Sequence, residues 1–197
     1  MIISKDLKAL FDEKNGIIST AEAEHIGISR VTLSELAKQG ELLRVAQGIY
    51  ILNGSLEDEL YCLQKKAKKI VYSHETALFL HGLTDRTPFR HSITVPNSYK
   101  SSEPIKEACK IYYIKSDFIN LGAITLKTKM GNEIIAYDLE RTVCDVVRSR
   151  SKMDSQVFQE TLKKYALLKT SNMNKLYNYA TQFKVDKILQ QYLEVLL

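Results

Sequence analysis

Three groups of side chains in this sequence have the types and spacing to do chemistry. The first is Asp138, Glu140, Arg141 and Asp145, an acidic set of the kind that serves nucleases and transferases. Two-metal chemistry requires carboxylates that converge on one point. On a helix of roughly 100° per residue, Glu140 and Asp145 diverge by about 140°. Arg141 and Asp145 are four apart and pair on one face. Asp138 and Glu140 open the helix, where acids suit its dipole. The set therefore reads as structural or partner-binding. The alternative is a metal-dependent nuclease or transferase using Asp138, Glu140 and Asp145.

The second group is Ser73, His74, Glu75 and His81. Its His-Glu-x5-His spacing is not the helical His-Glu-x-x-His of a zinc site, and no third ligand lies nearby in sequence. Ser73 is expected to cap a helix, Glu75 to sit in its first turn, and the histidines to bond locally. No phosphate-binding glycine loop, no Ser/Cys/His triad spacing and no Gly-Ser…Asp-x-Asp arrangement of a nucleotidyltransferase is visible. The expectation is a chain that is not an enzyme, with no catalytic residue, no metal ligand and no cofactor.

The third group is suited to nucleic acid. With Leu33, Leu36 and Ala37 facing inward on a helix, Val31, Thr32, Ser34, Glu35 and Lys38 face outward, with Arg30 at the edge. The hydroxyls of Ser29, Thr32 and Ser34 suit phosphates or base edges, and Arg30 suits bidentate recognition of guanine or phosphate. Arg44 and Gln47 follow in a hairpin, which would reach the backbone or minor groove.

Such a face needs elements to present it. A helix is expected over Lys5–Lys14, closed by Asn15-Gly16, and a second over Ala21–His25, opened by Ser19-Thr20. Gly27 supplies a turn. Ser29 caps a third helix running to Gln39. Leu42–Val45 and Ile49–Leu52 form a hairpin with Gly48 at its tip. This order outlines a winged helix-turn-helix, which sets one helix in the major groove of DNA.

Beyond a break at Asn53-Gly54-Ser55 the pattern changes. A helix containing Leu56, Leu60 and Leu63 is expected first. Strands follow at Ile70–Tyr72, Ser92–Val95 and Ile111–Ile114, and a second hairpin pairs Ile124–Lys129 with Glu133–Tyr137. Helices are expected at His74–His81 and Leu139–Arg148, and Asn97–Pro104 is expected as a mobile loop. Three helices rich in Leu and Tyr close the chain from about residue 155. The fold class is α+β: a winged helix-turn-helix over 1–53, then a mixed α/β domain over 54–197 ending in a helical segment.

The chain of 197 residues carries a net charge of +5. Residues 1–52 hold six of its 28 Lys/Arg and seven of its 23 Asp/Glu, so a DNA reader there must be polarised. Its acids crowd the first half, while Arg30, Lys38 and Arg44 lie in the second. The lysines scattered between Lys65 and Lys129 are expected on solvated surface. Cys62, Cys109 and Cys144 read as buried thiols of a reducing compartment. No run of about 18 apolar residues is present, and the N-terminal stretch lacks the order of a signal peptide. A cytoplasmic protein without a membrane partner is expected.

The segment SRVTLSELAKQGELLRVAQGIYIL, residues 29–52, resembles the N-terminal winged helix of the AbiEi family of antitoxins. Tyr72–Pro88, YSHETALFLHGLTDRTP, resembles that family's Ser-His-Glu helix and Leu-His-Gly-Leu turn. Tyr137–Val147, YDLERTVCDVV, resembles its Asp-x-Glu-Arg-Thr-x-Cys-Asp helix. The resemblance implies a repressor of its own toxin–antitoxin operon, with inverted repeats in its promoter as the operator. It also implies a second domain that counteracts a nucleotidyltransferase-like toxin, in a type IV system of abortive infection and phage resistance, with no stable complex assumed. Ser73, His74, Glu75, His81, Asp138, Glu140, Arg141 and Asp145 would be the motif residues of that second domain. The competing reading is a winged-helix regulator whose second domain senses a small effector.

Overall fold

The computed structural model describes residues 3–196, with side chains as far as Glu194. The chain clusters into two compact units, residues 1–68 with 127–134 and residues 69–126 with 135–197.

The first unit begins with α1 (Lys5–Glu13), capped by the Ser4 side chain and burying Leu7, Leu10 and Phe11, the stripe that i, i+3, i+4 spacing puts on one face. Asn15 and Gly16, both at positive φ, turn the chain into β1 (Ile17–Ser19). A capping box then starts α2 (Thr20–His25): Ser19 Oγ accepts from the Glu22 amide, and the Glu22 carboxylate accepts from the Ser19 amide at 2.7 Å. Gly27, at φ +80°, turns the chain toward α3 (Arg30–Lys38), which Ser29 caps and which buries Leu33 and Leu36. β2 (Leu42–Ala46) and β3 (Ile49–Leu52) pair antiparallel with a bulge at Arg44/Ala46, and β1 lies on the other side of β3. Phe11, Ile18, Leu33, Leu36, Leu42 and Tyr50 share one core.

This unit extends past residue 53. α4 (Glu59–Lys66) buries Cys62 in a cluster with Ile17, Ile49 and Ile51. Its N-cap Asp58, itself buried, accepts from the Tyr61 amide through one oxygen. The other oxygen accepts from Asn132 Nδ2 at 2.8 Å and from the Thr128 hydroxyl. A carboxylate so placed recruits a turn from far along the chain into the first unit.

The second unit holds a mixed sheet of β4 (Val71–Tyr72), β5 (His91–Pro96), β6 (Cys109–Ile114), β7 (Ala123–Lys127) and β8 (Glu133–Tyr137), in the order β6-β5-β4-β8-β7. β5 runs parallel to β6 and antiparallel to β4, and β4 runs parallel to β8. The helices are α5 (His74–Leu80), α6 (Glu103–Ala108), α7 (Leu139–Arg148), α8 (Ser155–Leu167), α9 (Met173–Gln182) and α10 (Asp186–Leu196). α7 is buried along most of its length, and α5, α8, α9 and α10 all pack against it. Phe158, Leu162, Tyr165, Leu176 and Tyr179 are buried there with Leu189 and Leu193, as helices rich in Leu and Tyr would pack. Tyr192 is 40% exposed.

Four elements depart from the sequence expectations. Leu56, expected in a helix with Leu60 and Leu63, lies before α4 and is exposed, because Asp58 caps the helix after it. β1 forms where only the lead into a helix was read, because β3 offers Ile17–Ser19 an edge. Asn97–Pro104 is not all loop: α6 starts within it, with Pro104 in its first turn, where a missing N–H costs nothing. β6 begins at Cys109, two residues early, extended by parallel pairing with His91. The overall class is α+β, and no helix among the described residues is long and apolar enough to cross a membrane. The three cysteines are buried and none is in a disulfide among the described residues, and burial pushes the Cys62 thiol up to about 12, so it stays protonated.

Candidate nucleic-acid interface

α2, α3 and the β2–β3 turn enclose an open groove of about 630 Å³ on the first unit. Five of the seven side chains expected to meet DNA line it: Arg30, Ser34 and Lys38 from α3, Arg44 from β2, and Gln47 from the turn. The helical period explains the first three. Leu33 and Leu36 are pinned in the core, so positions 30, 31, 34, 35 and 38 must face away from it. The turn is held by α2. The Thr20 amide and hydroxyl both donate to the Gly48 carbonyl, at 2.8 and 3.2 Å. Gly48 sits at φ +72°, and a Cβ there would lie 3.0 Å from Thr20 Oγ1. Glycine thus meets both the backbone angle and the close approach that fix Arg44 and Gln47 beside α3.

Ser29 and Thr32 do not line the groove. Ser29 Oγ accepts from the Thr32 amide as the α3 cap and lies 3.0 Å from Thr32 Oγ1. Both hydroxyls are exposed at the helix start but already bonded to each other.

The groove also contains two acids. Glu35 projects from α3, as its spacing requires. Glu24 comes from α2 and was not read from the sequence as part of the face. Its Oε1 accepts from Arg30 Nε at 3.2 Å, with both side chains largely in solvent. An exposed pair of this kind is worth ~0–1 kcal/mol, so Arg30 is held loosely. Glu24 was hidden because it belongs to a different helix, six residues away across a glycine turn. With Arg30, Lys38 and Arg44 against Glu24 and Glu35, the groove is only weakly basic. It can bind a phosphate strand through few contacts and is unsuited to strong non-specific adhesion.

In the second unit the motif residues form a buried polar network. Asp138 caps α7, accepting from the Arg141 amide at 2.8 Å, and accepts from Tyr179 Oη at 2.9 Å. Glu140 accepts from the Asn172 amide at 3.2 Å. Lys175 Nζ lies 3.1 Å from Asp138 and 3.5 Å from Glu140, occupying the space between them. Asp145 is turned elsewhere. It pairs with Arg141 Nε and Arg148 Nη2, both at 3.0 Å. Arg141 and Asp145 are fully buried, as their four-residue spacing on α7 permits. The Arg141 guanidinium lies between the rings of Tyr137 and Phe183, 4.0 and 4.3 Å from their centres, and donates to the carbonyls of Phe118 and Leu121. Gly122, at φ +76°, lets the chain pass here: a Cβ would stand 2.7 Å from Arg141 Cβ. The carboxylates are thus divided among α9, the α8–α9 connection and two arginines, with no common point for a metal. Among the described residues no group of three or more His, Cys, Asp or Glu is placed to hold one.

The Ser-His-Glu expectations need correction. Ser73 makes no side-chain cap; its Oγ accepts from Thr94 Oγ1 at 2.8 Å, because the buried strand β5 offers a partner at close range. The histidines bond locally only in part: His74 meets its neighbour Ser73, and the other contacts are long-range. His81 Nε2 donates to the Tyr137 carbonyl at 2.8 Å, and His74 lies 3.0 Å from both Ser73 Oγ and Ser149 Oγ. Glu75 accepts from Ser92 Oγ and from Lys110, which is therefore not a freely solvated lysine.

His74 is fully buried and stacked on Tyr112, with ring centres 3.4 Å apart. Burial, reinforced by Arg148, Lys110 and Arg141, holds its pKa well below the usual histidine value, so the folded ring is neutral. The unfolded chain takes up a proton near pH 6.5 and the folded one does not. Stability should therefore fall as pH drops below about 6.5, by up to ~1.4 kcal/mol per pH unit from this residue. Urea unfolding at a series of pH values should show this slope in the native chain and a shallower one in His74→Gln.

The fold and groove define a two-unit α+β protein whose first unit presents Arg30, Lys38 and Arg44 around α3. Residues 5–53 of this chain match the family described as "Transcriptional regulator, AbiEi antitoxin". The AbiEi resemblance read from the sequence is thus supported over the segment that builds the groove, and the match ends before Tyr72–Pro88 and Tyr137–Val147. No curated protein matches the chain. Among solved structures, the crystal structure of RV2827C protein from Mycobacterium tuberculosis superposes with a TM-score of 0.63. It covers 94% of this chain and 75% of that one at 12% identity, a likeness of fold.

Proposed function

We propose that this chain is a DNA-binding antitoxin that represses its own operon. The observation that carries the reading is a coincidence: residues 5–53 match antitoxin transcriptional regulators, and the same residues gather Arg30, Ser34, Lys38, Arg44 and Gln47 around one groove. In this reading the first unit is a winged helix-turn-helix. α3 enters the major groove, with Arg30 addressing a guanine or a phosphate, Ser34 a base edge and Lys38 the backbone. The β2–β3 turn is the wing, short and tied to α2, with Arg44 and Gln47 on the flanking phosphate strand. Ser29 and Thr32 serve mainly as the cap that aims the helix.

The second unit, with the remaining α/β elements and the helices from Ser155 onward, counteracts a nucleotidyltransferase-like toxin. The network of Asp138, Glu140, Arg141 and Asp145 acts there by fixing α7 and the helices around it, and no catalytic step is assigned to it. The test has two arms. The full-length protein should retard DNA from upstream of its own gene at low salt, and its co-expression should restore growth to cells producing the neighbouring toxin. No retardation at low salt removes the repressor half of the proposal, and no rescue removes the antitoxin half.

A further inference from the structure

We infer that Glu24 is a specificity-determining residue of the groove, acting by masking Arg30 from DNA that lacks the right sequence. The inference rests on the reading of the groove as a DNA interface. Of the three cations there, Lys38 and Arg44 have no acid bonded to them among the described contacts. Arg30 is bonded through Nε to Glu24 Oε1 at 3.2 Å, from a neighbouring helix. The two side chains are 76% and 43% exposed, so solvent screens the pair and a better partner can separate them.

The chemistry of the partner decides what happens. A phosphate oxygen meeting Arg30 must replace a carboxylate already in place, an exchange of one anion for another with little gain. A guanine in the major groove offers O6 and N7 together, a bidentate acceptor that the terminal nitrogens of Arg30 can take. Random DNA therefore collects contacts from Lys38 and Arg44 alone, while a site with guanine in register also recruits Arg30. The capping box and the Gly27 turn set Glu24 and Arg30 at this distance, so the mask is built into the helix pair.

The experiment compares the full-length protein with Glu24→Gln, Arg30→Ala and the double variant. Binding is read by fluorescence anisotropy on a duplex from upstream of its own gene and on a shuffled duplex of equal composition, between about 50 and 200 mM salt. Glu24→Gln should tighten the shuffled duplex about threefold to fivefold, the most that loss of an exposed ion pair allows. It should tighten the upstream duplex less, and steepen the salt dependence on shuffled DNA by about one unit as Arg30 becomes a phosphate contact. In the Arg30→Ala background the same substitution should change little. Equal tightening of both duplexes, no change on either, or a gain that persists at full size without Arg30 would each overturn the inference. If the unaltered protein binds neither duplex at the lowest salt, the DNA reading fails and this inference with it.

Discussion

Asp145→Ala should cost the second unit about 3–5 kcal/mol and lower the thermal midpoint on the order of 10 °C. Asp145 is the only acid bonded to the Arg141 guanidinium among the described contacts, and it also holds Arg148. Removing it leaves a guanidinium buried between Tyr137 and Phe183 with two backbone carbonyls and no countercharge. The cost of the orphaned charge is larger than the net worth of the pair, since burying both ions was itself unfavourable. Pairing Asp145→Ala with Arg141→Leu should therefore recover part of the loss, and a double variant less stable than Asp145→Ala would contradict this account. Differential scanning calorimetry is the suitable measurement, because a chain of two units need not unfold in one step.

The second large effect concerns DNA. Replacing Arg30, Lys38 and Arg44 together by alanine should weaken binding to upstream DNA by two to three orders of magnitude at physiological salt, as loss of up to three ionic contacts at ~1 kcal/mol or more each would do. The slope of log affinity against log salt should fall by about two to three units. All three side chains are exposed, so folding should be unaffected. In cells the triple variant should lose repression of its promoter yet still rescue growth against the toxin. Loss of both activities together would mean that the groove serves more than DNA.

How much of this was legible in the sequence differs between the units. The α3 face was readable because one period, anchored by Leu33 and Leu36, dictates what points outward. Arg44 and Gln47 were readable because a glycine-tipped turn places them. Glu24 was not, since no periodicity links α2 to α3; only the turn at Gly27 brings them together. Ser29 shows the opposite limit. Its type announced both a helix cap and a DNA contact, and the cap took the hydroxyl. In the second unit the Arg141–Asp145 pair followed from their spacing on α7. The partners of Ser73, His74 and His81 did not, because each comes from another element, such as Thr94, Ser149 or Tyr137. β1 and α6 escaped notice for a related reason: three residues beside a strand, or six after a proline, acquire their conformation mainly from what they pack against.

The attachment of the 127–134 turn to Asp58 has a consequence for synthesis of the chain. Protein emerges from the ribosome N-terminus first, at about 5–20 residues per second. Asp58 leaves the exit tunnel well before Thr128, which lies 70 residues further on. Until then its buried carboxylate lacks two of its hydrogen-bond donors, and the first unit is unfinished. A nascent chain halted in its first half carries all of α3 but only part of the body that steadies it. The unit proposed to bind DNA is therefore completed only after most of the second unit's sheet has been translated.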